Sequence, residues 1–334
     1  MENYKPPFSI TNRMLEYVSE IMEKIGKIDN YKNFEKMPNL RRNNKIKSIH
    51  SSLAIEANSL SLDETKAVID GKLVLGPEKE IQEVLNAYEA YEMIGSFDPY
   101  SIDDLKKIHG VMTKNLVSIS GNFRTGNEGV RDGATGNIVH VCPPPEQVSI
   151  LMHQLFDWMK DNKDEVHPLI LSSVFHYEFV FIHPFQDGNG RMSRIWQNAL
   201  LTEWKDFFEY LPIESELKKY QSEYYAAIDE SNKNANPNAF IEFMLRMINS
   251  VLDELIETSK MPLDIDSINI ERLLNVMDIN EALSAFEIME RLKIKSKETL
   301  RNVYLKPAIK EGLVKLTIPE KPNSKNQRYY KVSK

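Results

Sequence analysis

Cysteine is the scarcest residue: Cys142 is the only one in 334 residues. That excludes an intramolecular disulfide framework and fits a reducing compartment, so a cytoplasmic location is expected. No run approaches the ~18 apolar residues that a membrane span needs, and the opening MENYKPPFSI carries no apolar signal core, so no membrane partner is expected. Glycine is also short, 13 in all, or about 4% against an average near 7%. Five of the 13 nevertheless fall together as Gly121, Gly126, Gly129, Gly133 and Gly136, and two more as Gly188 and Gly190. A chain that spends so little glycine and clusters it twice marks two loops of special backbone geometry.

The rest of the composition is that of a folded protein, 42% hydrophobic and 27% charged, of a length for one large or two ordinary domains. Charge divides unevenly. Residues 291–334 hold thirteen lysines and arginines against three acidic residues, a balance of +10, which leaves −17 on the rest of a chain whose total is −7. An acidic body with a basic tail points to separate modules, the tail meeting solvent, nucleic acid or an acidic partner surface.

Most of residues 10–260 reads as helix. Met14, Tyr17, Val18, Ile21, Met22 and Ile25 recur at spacings of three and four. Ser61-Leu62-Asp63-Glu64 is a capping box opening a helix that stops at Gly71. Residues 79–95, 101–115, 146–161, 166–182, 191–204, 217–231 and 237–256 are further helices. The exception is 121–144, where clustered glycines, turn chemistry and the run Ile138–Val141 read as a hairpin closed by Pro143–Pro145. Residues 257–266 read as a linker or weak domain boundary. After it come helices at 270–277, 284–292 and 296–306 and two strand-like runs, Leu313–Ile318 and Gln327–Val332. Three helices and a two-stranded ribbon outline a winged helix-turn-helix-like α/β module over 265–334.

The segment HPFQDGNGRMSR, residues 183–194, concentrates chemistry. Apolar runs flank it, so two buried helices hold it. Its glycines open backbone N–H groups at a helix N-terminus, a site for phosphate oxygens. Arg191 and Arg194 are adjacent on the first helical turn and can pair with more phosphate charge. Asp187 is a hard oxygen ligand of the kind Mg2+ takes beside phosphates, and His183 can accept a proton. A base, a metal ligand, an anion nest and paired arginines in twelve residues point to phosphoryl or nucleotidyl transfer. There is no Walker P-loop and no kinase-like glycine loop.

This segment resembles the Fic signature H-x-F-x-[DE]-G-N-G-R-x-x-R at every fixed position. The glycine-rich hairpin resembles the family's flap, and YYAAIDESN at 224–232 resembles its adenosine-side helix. The resemblance covers about residues 45–250. It implies a mainly α fold: an N-terminal helical region (1–110), a Fic core (111–256) with a small β-hairpin flap (121–144) and active-site loop (183–194), then the winged-helix-like module. It implies transfer of AMP from ATP to a Tyr, Ser or Thr hydroxyl of a target protein. His183 would deprotonate the hydroxyl and Phe185 would anchor the loop. Asp187 would hold Mg2+, and Gly188, Asn189 and Gly190 would cradle phosphates, the Asn189 side chain included. Arg191 and Arg194 would neutralise the β- and γ-phosphates. Tyr224, Tyr225 and Asn232 match adenosine-contacting positions, although core aromatics and a helix cap explain them equally well. The flap backbone at Gly129, Val130 and Arg131 would line the nucleotide and pair with the target by strand addition.

The helix around 45–57 carries Ile46, Ile49 and Leu53 on one face, and the next position on that face is Glu56. An acid continuing an apolar stripe either runs out into water or, if buried, needs a cation. SSLAIEAN resembles the family's inhibitory motif [ST]-x-x-x-E-[GN], with Ser52 and Glu56 at fixed positions and Ala57 in place of Gly or Asn. The resemblance implies that Glu56 pairs with Arg194 and blocks the γ-phosphate. It also leaves open removal of AMP by the same site and a homodimer. Lys297, Arg301, Lys306, Lys321 and Lys325 leave open a DNA-binding regulator acting through 265–334. The histidines at 50, 109, 153, 167 and 176 show no metal-ligand spacing and read as surface or satisfied core residues, and His140 belongs to the flap.

Overall fold

The structure, a computed structural model, describes residues 4–30, 38–131, 138–260, 265–278, 281–310, 312–322 and 324–332. The chain divides into two compact units, Met1–Ile256 and Glu257–Lys334. Among the described residues, no helix is long and apolar enough to cross a membrane.

The first unit is helical, as the periodicity predicts. It contains α1 (Asn12–Asn30), α2 (Pro38–Ile55), α3 (Leu62–Ile69), α4 (Glu78–Glu92) and α5 (Ile102–Met112). A two-stranded antiparallel hairpin follows, β1 (Gly129–Arg131) against β2 (Ile138–Val141). The expected turn glycines Gly133 and Gly136 lie outside the described residues. Then come α6 (Pro145–Asn162), α7 (Pro168–Ile182), α8 (Asn189–Trp204), α9 (Ile213–Lys219), α10 (Gln221–Asn234) and α11 (Asn238–Lys260).

Local signals set the boundaries. Ser61 accepts from the backbone N–H of Glu64 while Glu64 reaches back to Ser61, the expected reciprocal cap. Pro145 and Pro168 start α6 and α7, where a missing N–H costs nothing. Met14, Ile21 and Ile25 of α1 are buried, with Met22 at the exposed edge of that stripe. Helix α7 is buried from Leu169 to Phe179 and packs along α8, which is buried from Arg191 to Thr202. These two helices form the rigid floor of the loop between them.

Two expectations need correction here. The single helix over 217–231 is two, α9 and α10, broken at Tyr220, which caps both. Leu217, Tyr220 and Tyr224 stay in helical phase, which hides the break from periodicity. At the expected linker or boundary, residues 257–260 continue α11 as helix rather than as irregular chain.

The second unit contains α12 (Ile265–Asn275), β3 (Ala282–Ser284), α13 (Ala285–Leu292), α14 (Lys297–Thr299), a π-helical turn (Leu300–Leu305), α15 (Lys306–Lys310), β4 (Val314–Leu316) and β5 (Arg328–Lys331). Its sheet has three antiparallel strands in the order β3-β5-β4, not the two expected. Strand β3 is three residues long and runs into the Ser284–Glu287 capping box, so the helix-start signal masks it. Ile270, Leu273, Leu283, Ile288, Leu300 and Val314 form a core of this unit's own.

Candidate active site

The loop between α7 and α8 is fastened from three sides. Phe185 is fully buried and stacks on the His109 ring of α5, centroids 3.7 Å apart. His109 Nδ1 accepts from the Gly121 N–H at 2.9 Å, so Nε2 carries the proton and donates to the Asp187 carbonyl at 3.0 Å. The Asn189 side chain makes two bonds to one residue. Its Oδ1 accepts from the Phe185 N–H at 2.9 Å and its Nδ2 donates to the Phe185 carbonyl at 2.7 Å. The structure turns this side chain inward instead of onto phosphate as expected: both ends of its amide clamp the loop through Phe185.

Arg124 closes the third side. Its guanidinium donates to the carbonyls of His183 (2.7 Å), Gly126 (2.8 Å), Pro143 (2.6 Å) and Ile182 (3.3 Å). One buried fork thus ties the C-terminus of α7 to both ends of the hairpin, where a cation also suits the helix dipole. His140 on β2 adds a bond to the Phe181 carbonyl at 2.8 Å. Nothing local in GNFRTG distinguishes Arg124 from a solvated arginine; its four acceptors come together only in the fold.

His183 caps α7 in the left-handed conformation, φ 53°. Its Nδ1 lies 3.3 Å from the Val180 carbonyl, which can only accept, so Nδ1 is protonated and Nε2 keeps its lone pair. Burial pushes the imidazole down to about 4, and the nearby charge of Arg124 adds to the shift. At neutral pH His183 is an uncharged base.

Gly188 takes a left-handed turn, φ 85°, and opens α8. Asp187 is half-exposed, and its Oδ1 accepts from the Gly188 N–H at 2.5 Å and from Arg191 Nη2 at 3.0 Å. Arg191 is buried, yet its Nε and Nη1 have no hydrogen-bond partner. The carboxylate of Glu83 on α4 stands 3.8 Å from Nη1, outside hydrogen-bond range. A buried guanidinium with two unspent donors is a ready anion site. Among the described residues no group of three or more His, Cys, Asp or Glu gathers for a metal. A phosphate-bound Mg2+ needs only one or two protein carboxylates, so Asp187 fits that role by its chemistry.

Arg194 faces the other way. Its Nε donates to Ser52 Oγ at 2.9 Å, and its Nη2 donates to the Ser52 carbonyl at 3.0 Å and to Glu56 Oε1 at 2.8 Å. Burial, the largest single effect, opposes its charge, but the neighbouring groups, the Glu56 carboxylate first, together outweigh it and hold the guanidinium further in its charged form. Gly190 explains how Glu56 comes so close. A β-carbon there would lie 2.2 Å from Glu56 Oε1. The carboxylate therefore rests on the N-terminus of α8, where a bare glycine leaves room for an anion.

The expected helix over 45–57 ends one residue before Glu56. Ala57 turns left-handed, φ 66°, with its N–H donating to the Ala54 carbonyl at 3.2 Å and the Asn58 N–H to the Leu53 carbonyl at 3.1 Å. That is a Schellman end with alanine in the place glycine prefers. Asn58 Nδ2 then donates to Glu83 at 2.9 Å, anchoring the turn on α4.

The candidate adenosine positions separate. Tyr224 is buried against Phe240, and its hydroxyl bonds His176 Nε2 at 2.8 Å. Tyr225 is 47% exposed, and Asn232 Oδ1 accepts from the Tyr177 hydroxyl at 2.9 Å. Gly129, Val130 and Arg131 form β1.

Comparison with known proteins fits this geometry. Residues 99–201 match the Fic/DOC family, and residues 269–331 match the C-terminal domain of Filamentation induced by cAMP protein Fic-like. A crystal structure of a Fic family protein from Desulfovibrio desulfuricans G20 is 38% identical and aligns over 99% of both chains with a TM-score of 0.75.

The chain belongs to the Fic family.

This Fic protein is also 30% identical over 217 residues to "Protein adenylyltransferase Fic" of Nematostella vectensis, covering 61% of this chain and 47% of that one. The corresponding protein of Aedes aegypti is 28% identical, with 41% of its length covered. The chain thus spans less than half the length of these curated relatives. The solved Fic-1 fragment from C. elegans shares the fold at 21% identity and a TM-score of 0.62.

Proposed function

We propose that this chain is a protein adenylyltransferase held inhibited by the end of its own helix α2. The single observation that carries the reading is the Glu56 carboxylate, seated on Arg194 and over Gly190 where a phosphate oxygen would bind. Two features support a phosphate-bearing substrate such as ATP: the Glu56 carboxylate seated over Gly190 in the place of phosphate charge, and the unspent donors of buried Arg191. Asp187 would hold Mg2+, which would supply charge neutralisation at the phosphates.

The roles follow. His183 Nε2 takes the proton from a Tyr, Ser or Thr hydroxyl of the target as its oxygen bonds the α-phosphorus. The bond from that phosphorus to the bridging oxygen breaks, and pyrophosphate leaves. The backbone N–H groups of Asn189 and Gly190 and the two arginines stabilise the charge that develops. Exposed Tyr225 and the amide of Asn232 are available to the adenosine, while buried Tyr224 acts by holding His176. The β1 edge offers backbone partners to an extended target segment.

Incubation of labelled ATP and Mg2+ with wild type, Glu56→Gly, His183→Ala and the double variant in a lysate tests this. Label on protein should rise with Glu56→Gly and vanish in the double variant. A folded, ATP-binding Glu56→Gly protein that transfers nothing overturns the reading. The mass added to a modified protein distinguishes AMP from phosphate, and loss of AMP from that product tests removal at the same site.

A further inference from the structure

The second unit carries charge that its own fold does not use. Two of its arginines are spent internally. Arg291 pairs with both oxygens of Glu281 at 2.7 Å, and Arg328 lies 3.3 Å from Glu287. Lys297, Arg301, Lys306 and Lys310 are different: all are exposed, and none is held in an ion pair among the described residues. The core of the unit closes without them.

Their spacing is informative. The intervals are four, five and four residues. In a regular α-helix, at about 100° per residue, the five-residue step would swing Lys306 roughly 140° from the face of Arg301. The chain avoids this with the π-helical turn Leu300–Leu305, in which residues five apart are bonded. The Lys306 N–H donates to the Arg301 carbonyl, so these two residues sit one turn apart. The π turn thus returns Lys306 to a place one turn from Arg301, so the four exposed cations follow one another turn by turn along a stretch of roughly 18 Å. The other exposed residues along it, Glu298 and Asn302, are polar. A stripe with no apolar anchor is a poor protein interface.

The stripe lies on the second helix of a helix–turn–helix. Helix α13 ends at Leu292, Lys293 turns left-handed, and Ser296 caps the next helix through the Thr299 N–H at 3.2 Å. In such motifs the second helix enters the major groove of duplex DNA, where its cations reach phosphates and an asparagine can read adenine. Arg301 is close enough to β5 for its charge to act on the Tyr329 phenol. The turn between β4 and β5 adds exposed Lys321 and Lys325. We propose that this stripe is a binding surface for double-stranded DNA, with Lys297, Arg301, Lys306 and Lys310 on the phosphate backbone.

The test is fluorescence anisotropy of the full chain with a labelled mixed-sequence duplex of about 20 base pairs, at 50 and 200 mM NaCl. Four phosphate contacts predict that binding weakens roughly 100-fold between these salts. The variant Lys297→Gln/Arg301→Gln/Lys306→Gln/Lys310→Gln should lose more than about 100-fold in affinity at 50 mM and flatten the salt dependence. A charge-matched variant on the first unit, Lys47→Gln/Lys107→Gln/Lys160→Gln/Lys163→Gln, should bind as wild type does. Unaltered circular dichroism shows that the replaced side chains were not structural. The proposal is overturned if wild type fails to bind at 50 mM, if both variants weaken binding equally, or if polyglutamate competes as well as unlabelled duplex does.

Discussion

Glu56 Oε1 lies 2.8 Å from Arg194 Nη2, across 138 residues of sequence, and the arginine is only 1% exposed against 39% for its partner. The pair is therefore lopsided: a deeply buried cation satisfied by a carboxylate that water can reach. Replacing Glu56 leaves Arg194 charged and desolvated, with Ser52 and the Tyr224 hydroxyl as neighbours but no carboxylate. Glu56→Gly should lower the stability of the ligand-free protein by about 1–3 kcal/mol, less than the loss from breaking a fully buried pair. Added ATP should restore it, so the variant should show a larger thermal shift with ATP than wild type. AMP transfer should rise about tenfold or more, the size of a typical coupling between competing ligands.

Gly190→Ala tests the space rather than the charge. The added methyl would stand 2.2 Å from Glu56 Oε1 and displace it. Loss of inhibition should not follow, because the same methyl excludes phosphate. Calorimetric titration with ATP should show weakened binding in both Gly190→Ala and Glu56→Gly/Gly190→Ala.

Ala57 holds φ 66° at the end of α2, where an L-residue costs roughly 1–2 kcal/mol relative to glycine. Glycine gives back part of that through a freer unfolded chain. Ala57→Gly should stabilise the protein by about 0.5–1 kcal/mol in urea unfolding. A firmer turn beside Glu56 should also lower the basal AMP transfer of wild type.

Arg124 satisfies four carbonyls from three segments. Arg124→Ala should cost roughly 2–4 kcal/mol, since buried acceptors lose their donors together. Lysine, a point donor on a flexible stem, should not rescue it. Amide hydrogen exchange should show faster opening of the β1–β2 hairpin in both variants.

Three histidines are held neutral by burial: His109 and His183 pushed down to about 4, His176 to about 3. In the unfolded chain each titrates near 6.5. The unfolded state therefore binds more protons below ~6.5, and stability falls as the pH drops from there toward 4. Buried Glu178, pushed up to about 7, works in the opposite direction below that pH, but three histidines outweigh one carboxyl, so the urea midpoint should be lower at pH 5 than at pH 8. The transfer rate of Glu56→Gly should not fall between pH 8 and 6, because its base stays unprotonated throughout.

The local sequence determined much of this protein. Helix starts such as Ser61–Glu64 and Ser284–Glu287 are written in neighbouring residues, because caps act over three positions. The loop 183–194 was legible because its glycines, arginines and histidine are contiguous and chemically exacting. What it left undetermined is long-range or phase-dependent. The partners of Arg124, the His109–Phe185 stack and the Glu83–Asn58 anchor each join elements far apart in the chain. The Asn189 side chain reads from sequence as a phosphate ligand, but the fold turns it inward onto Phe185. The break at Tyr220 and strand β3 were hidden for the same reason, since a periodic pattern continues across a kink and three residues carry too little pattern to register. Tertiary structure decided where each donor finds its acceptor, because a buried polar group must be satisfied by whatever the packing brings within 3 Å, and sequence spacing does not encode that distance.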